Sequence, residues 1–314
     1  MVAAFTFPGQ GSQFVGMGKI LTEQFVAAWM VFEEVDDALG EKLSEIIFEG
    51  PADVLTLTAN AQPALMAVSM AVIRVMEQLG LNIKSQVKFV AGHSLGEYSA
   101  LCAAGTFSLT DTARLLRIRG NAMQAAVAVG KGSMAALIGL DEKDVEKICK
   151  TVSGEGLCQI ANDNGGGQIV ISGEAKAVEV AVEIASKKGA KRALLLPVSA
   201  PFHSSLMQSA ADAMKNAFLT VNATAPIVPL VSNVSVAPEN DPERITTLLV
   251  QQVTGKVRWR ETIEWIGTNG VDTLFEVGAG KVLTGLARRI NKDIKGLTIG
   301  TAEEIEAALR VLGV

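Results

Sequence analysis

At 314 residues the chain is long enough for one large domain or two unequal ones, and 49% apolar content supports a sizeable core. A formal charge of -5 at pH 7 excludes a general nucleic-acid binder. Three cysteines, Cys102, Cys149 and Cys158, are odd in number, widely spaced and match no metal pattern, which points to a reducing, cytoplasmic setting.

Ala3 to Phe7 reads as a short buried strand ended by Pro8, and the turn-rich PGQGSQ follows it. The opening MVAAFTFPGQ lacks a basic region followed by an apolar one, so no secretory signal is read there. Helical spacing runs through ILTEQFVAAWMVFEEVDDAL and EKLSEIIFEG. Pro63 is placed in the first turn of a long helix reaching Leu79 and closed by Gly80. Asn60, Gln62 and Pro63 interrupt the charge-free stretch around it, so no membrane span is expected. VKFVAG is the next strand and leads into Ser94, from which a helix runs to Ala104; Thr110 is expected to cap the one after.

After Gly130 the rhythm changes. MAALIGL, CQIAND, QIVISG and RALLLP read as strands, with helices DEKDVEKICKTVS and EAKAVEVAVEIASKKG between them. The order β-α-β-β-α-β is that of a ferredoxin-like unit. Beyond it, PLVSNV and TLFEVG are strands, while SSLMQSAADAMKNAFL, ITTLLVQQV, KVLTGLARRI and TAEEIEAALRVL are helices. The expected fold class is therefore α/β. A discontinuous hydrolase-like core with a parallel sheet, residues 1–129 and 201–314, carries an inserted ferredoxin-like subdomain, residues 130–200.

In VAGHSLGEYSA the serine lies between two glycines, after a strand and before a helix, which is the setting of a nucleophile elbow. The turn is sharp enough that side chains two residues either side would collide, and the helix start offers backbone N–H groups to an oxyanion. On the residues alone, Ser94 is equally compatible with a capping serine in a glycine-rich turn. A serine nucleophile needs a base. Of the two histidines, His93 adjoins Ser94 and leaves the turn in another direction, which leaves His203, in PFHS, as the candidate. Asp111, Asp141, Asp144, Asp163 or a backbone carbonyl remain open as the group that orients it. PGQGSQ falls at the same carboxyl edge of the sheet and can supply a second N–H beside that of Leu95. On the helix after the elbow, Arg114 and Arg117 are neighbours while Arg119 turns to the apolar side. There it serves either an internal salt bridge or an acidic substrate. The pairs Lys187–Lys188, Lys191–Arg192 and Arg288–Arg289 are solvated faces or a dock for an acidic partner.

Taken together and in this order, FPGQGSQ, GHSLGEYSA, Arg119, PFHS and FEVGAGK resemble the malonyl-CoA:acyl carrier protein transacylases, stand-alone relatives of polyketide acyltransferase domains. The resemblance spans essentially the whole chain. It implies transfer of a malonyl group from malonyl-CoA to the phosphopantetheine thiol of acyl carrier protein by a ping-pong Ser–His dyad, supplying fatty acid synthesis. It implies Ser94 as nucleophile, His203 as base and then acid, and the backbone carbonyl of Gln252 as the group orienting His203. It further implies an oxyanion hole from the N–H groups of Gln10 and Leu95, Arg119 on the malonyl carboxylate, and Phe202 and Asn162 in the substrate pocket. Neither cofactor nor metal is expected, no membrane or nucleic acid is a partner, and the protein is expected to be a monomer. The departures are NDNGGGQ, with an extra glycine, and Ala279 where proline is common. The alternative is a serine hydrolase or thioesterase that uses the same elbow with water as acceptor. Against it stand the long chain following His203 and the lack of an H-G-G-G oxyanion motif.

Overall fold

The computed structural model describes residues 1–198 and 200–314. Among these described residues, ten strands form two sheets. In chain order they are β1 (Ala3–Phe7), β2 (Val87–Gly92), β3 (Gly132–Ile138), β4 (Cys158–Asp163) and β5 (Gln168–Glu174). There follow β6 (Arg192–Leu195), β7 (Leu230–Val231), β8 (Pro238–Glu239), β9 (Thr273–Val277) and β10 (Lys295–Ile299).

The larger sheet has the order β10-β9-β1-β2-β7-β8. Its pairings are parallel except β7 with β8, so the sheet expected to be parallel is mixed: a short hairpin closes one edge. All five residues of β1 and of β9 are buried, as strands covered on both faces require. Alternation then sorts them between two cores. Phe5, Phe7, Phe275 and Val277 join one cluster, beneath the helices Val26–Leu39, Thr58–Gln78 and Leu109–Ala125. Ala4, Phe89, Ala91 and Leu274 face the other, beneath Trp259–Thr268 and Val282–Ile290. The helix Trp259–Thr268 and the strands β8 and β10 are additions to the sequence reading.

Two local expectations are corrected. The long helix starts at Thr58, so Pro63 sits a turn deeper than its first turn. A proline there withholds the N–H that would reach the Ala59 carbonyl; that carbonyl instead accepts from the Arg117 guanidinium at 2.7 Å. This helix is long and apolar enough to cross a membrane, yet 83% of its most apolar stretch is buried in the protein core. Thr110 is not the cap of the next helix. Ser108 is, its Oγ accepting from the Asp111 N–H at 3.0 Å, while Thr110 Oγ1 donates to Glu34.

The smaller sheet is antiparallel, with order β4-β5-β3-β6 and its own core around Leu137, Val145, Ile148 and Ile171. The chain enters and leaves this unit at one place: a Cβ on Gly132 would stand 2.3 Å from the Pro201 ring. A separate attachment lies at the end of β4, where Val257 accepts from Asp163 N–H at 3.0 Å and donates to the Ala161 carbonyl at 2.8 Å. Arg260 adds ion pairs to Asp163 and Glu142.

Candidate active site

β1 and β2 are paired so that Phe7 lies beside Gly92, which brings PGQGSQ and the Ser94 turn to the same carboxyl edge. Ser94 has φ 54°, a left-handed conformation that only well-supported non-glycine residues keep. The flanking glycines are required by contact. A Cβ on Gly92 would fall 1.9 Å from the Gly96 carbonyl carbon, and one on Gly96 would fall 2.2 Å from the Phe7 oxygen. Asn233 holds the turn, accepting from Ser94 N–H at 2.9 Å through Oδ1 and donating to the Gly92 carbonyl at 2.7 Å through Nδ2.

Ser94 Oγ lies 2.7 Å from His203 Nε2. His203 Nδ1 lies 2.9 Å from the Gln252 carbonyl and 3.2 Å from that of Gly255. Carbonyls accept only, so Nδ1 carries the proton and Nε2 is left to accept from the serine hydroxyl. His203 is buried, and desolvation, followed by the Arg119 charge, pushes its pKa down to about 3. The imidazole is thus neutral at physiological pH, as a base must be. His93 does not reach the serine: its Nε2 lies 2.8 Å from Asn164 Oδ1 and its ring packs edge-on against Trp259.

Arg119 is 1% exposed. It donates to Gln62 Oε1 at 2.7 Å, Gln252 Oε1 at 2.8 Å and Ser94 Oγ at 3.1 Å. Among the described residues it has no carboxylate within ion-pair distance, and its Nε has no acceptor. Its pKa is lowered, mainly by burial. The internal salt bridge left open in the sequence is therefore absent among the described residues. Arg114 is exposed, and Arg117 pairs with Glu41.

Ser94, His203, Arg119, Gln10, Leu95, Phe202 and Asn162 line one cleft of 310 Å³, with Met123, Met134 and Val198 among its apolar walls. Among the described residues the N–H groups of Gln10 and Leu95 have no acceptor. Gln252 stands behind His203, outside the cleft lining. Four polar elements of the site lay outside the sequence reading: Gln62, Glu97, Asn233 and the Gln252 side chain. Glu97 is fully buried and accepts from Asn233 N–H at 2.5 Å and from Gln252 Nε2. Burial pushes its carboxyl up to about 8, against the pull of these donors and of Arg119. The only signal for it was a charged residue inside an otherwise small and apolar helix, GEYSALCA. The three basic pairs are exposed.

Comparison with known proteins gives one answer throughout. The acyl transferase domain family matches residues 4–306. The chain is 47% identical over 310 residues to the malonyl CoA-acyl carrier protein transacylase of Bacillus subtilis (strain 168), covering 98% of this chain and 96% of that one. It is 42% identical over 308 residues to its namesake from Escherichia coli (strain K12), covering 98% and 99%. Among solved structures, the acyl-carrier-protein-S-malonyltransferase from Bartonella henselae superposes with TM-score 0.99 at 87% identity over the whole of both chains. A malonyl-transacylase in complex with its type II PKS acyl-carrier protein superposes with TM-score 0.96 at 40% identity, covering 99% of this chain and 100% of that one.

Proposed function

The chain belongs to the acyl transferase domain family, and from that premise we propose that it moves a malonyl group from malonyl-CoA to the phosphopantetheine thiol of acyl carrier protein, supplying fatty acid synthesis. The observation that carries the choice of acyl group is the buried, carboxylate-free Arg119, 3.1 Å from Ser94 Oγ in the same cleft. A guanidinium kept out of water without an ion-pair partner is costly unless the substrate brings one. A malonyl carboxylate does.

In the first half-reaction the malonyl carboxylate pairs with Arg119 and the thioester carbonyl lies against Ser94 Oγ. His203 Nε2 takes the serine proton as Oγ attacks, and the Gln252 carbonyl holds the imidazolium that forms. The N–H groups of Gln10 and Leu95 hold the oxyanion, each worth ~2.7–4 kcal/mol in the barrier. The C–S bond breaks, His203 returns its proton to the CoA sulfur, and malonyl-serine remains. In the second half-reaction the carrier's thiol gives its proton to His203 and its sulfur attacks the ester carbonyl; the bond from that carbon to Ser94 Oγ breaks, His203 returns the proton to Oγ, and the carrier leaves malonylated. Phe202 and Asn162 shape the pocket beside the acyl group. The chemistry uses no cofactor and no metal. We read residues 130–200 as a ferredoxin-like subdomain and residues 1–129 and 201–314 as a hydrolase-like core, in a cytoplasmic monomer.

The test is mass spectrometry after mixing with malonyl-CoA. A malonyl adduct on the Ser94 peptide, absent in Ser94→Ala and discharged by carrier protein, is expected. Steady hydrolysis of malonyl-CoA with no transfer to carrier protein would instead make the protein a thioesterase.

A further inference from the structure

We propose that Glu97 is a positioning residue for acyl transfer: one carboxyl oxygen fixes the loop that holds the Ser94 backbone, and the other sets the Gln252 amide with its oxygen toward Arg119. The inference rests on the acyl-transfer reading and concerns residues that do not touch the substrate.

The argument is one of donors and acceptors. The Gln252 side chain is fully buried and faces three groups. Its Nε2 donates to the Ser94 carbonyl at 2.9 Å and to Glu97 Oε2, and its Oε1 accepts from Arg119 at 2.8 Å. Turning the amide over would set its NH₂ against the guanidinium and its oxygen against the Ser94 carbonyl and the Glu97 oxygen that now accepts from it. Each of those contacts would be repulsive. Glu97 supplies one of the two acceptors that forbid the turn. Its other oxygen accepts from Asn233 N–H at 2.5 Å, and the Asn233 side chain clamps Ser94 N–H and the Gly92 carbonyl. The backbone of Gln252 meanwhile accepts from His203. One buried acid thus sits behind the nucleophile turn, the base and the arginine together. Glu97 has no ion-pair partner among the described residues; the Asn233 N–H and Gln252 Nε2 each meet one of its oxygens, and the Ser232 side chain also bonds to it.

Glu97→Gln is nearly isosteric but offers one acceptor where two donors converge. Either the Asn233 loop shifts or the Gln252 amide turns its NH₂ toward Arg119. The experiment measures single-turnover acylation of Ser94 by malonyl-CoA and by acetyl-CoA, with thermal unfolding alongside. The variant is expected to acylate about tenfold or more slowly from malonyl-CoA, since a displacement near 1 Å in a positioned group costs up to about 10²-fold. Its malonyl-over-acetyl ratio should fall as well. An unchanged ratio, with or without a lower Tm, overturns the proposal. Failure of the wild-type protein to form malonyl-Ser94 would instead overturn the acyl-transfer reading itself. Should Glu97→Gln not fold, wild-type protein decides: the side-chain amide protons of Gln252 should exchange with solvent far more slowly than those of an exposed glutamine. Equal rates refute a fixed amide.

Discussion

Arg119→Ala removes a buried cation and leaves a space the size of its side chain beside Ser94. Three hydrogen bonds go with it, and the Gln62 and Gln252 oxygens lose their donor. An unpaired buried acceptor costs ~1–3 kcal/mol. Against that stands relief of burying a charge with no carboxylate partner, so the net loss of stability should be only about 2 kcal/mol. The kinetic effect is larger. A site built to pair a polar group rejects an analogue lacking it by about 10⁴-fold, or ~5.4 kcal/mol at 1.36 kcal/mol per decade. Removing the arginine forfeits most of that preference for malonyl over acetyl donors, while the Ser94–His203 contact of 2.7 Å is left to acylate. The assay is rapid-quench mass spectrometry of the Ser94 peptide with each donor. A variant that keeps the wild-type malonyl-over-acetyl ratio to within about threefold would refute the carboxylate role, because the predicted loss is several decades.

The low His203 pKa, about 3, predicts acylation without an acid limb near pH 6.5; a midpoint there would contradict a buried neutral base. The same depressed pKa contributes stability that is complete above pH 6.5 and lost as pH falls toward 3. The Tm gap between wild type and His203→Gln should follow that window. Glu97 acts oppositely: with its pKa raised to about 8, its contribution is complete below about 4.5 and lost as pH rises through 8. The Tm gap to Glu97→Gln should shift in that sense, and a flat gap would count against it. Gly96→Ala forces a Cβ toward the Phe7 oxygen, so it should cost on the order of 3 kcal/mol in urea unfolding and abolish acylation; full activity would mean the turn is not held as described. Ser108→Ala should cost about 1 kcal/mol by the same measurement, and Thr110→Ala less, with the reverse order restoring Thr110 as the cap.

The nucleophile, base and arginine were legible because each had a local or compositional signal: a glycine-flanked serine after a strand, a scarcity of histidines, an arginine on the apolar side of a helix. The Gln252 carbonyl had none, and only the family resemblance singled it out. Asn233 and Gln252 meet Ser94 across 139 and 158 residues, and no periodicity encodes which buried amide will face which donor. Glu97 was in plain view in GHSLGEYSA, yet a glutamate in a first helical turn ordinarily reads as a solvated residue favoured by the helix dipole. Pro63 misled because its cost was met from outside the helix, by Arg117, which no local rule anticipates. The helix Trp259–Thr268 has no such signal: it begins two residues after Val257, which pairs as a strand, leaving no loop to announce it.

The way the smaller sheet is mounted bears on how the enzyme admits a donor and an acceptor of very different size. A body hung from two chain crossings that lie side by side, as at Gly132 and Pro201, is free to swing like a door on one pin. Here the end of β4 is bolted to Val257, away from that pin, and Arg260 braces the same corner. Those contacts oppose the swing. Widening the active-site slot by that swing would break these contacts, which favours a single opening for a pantetheine arm whether its far end is a nucleotide or a protein.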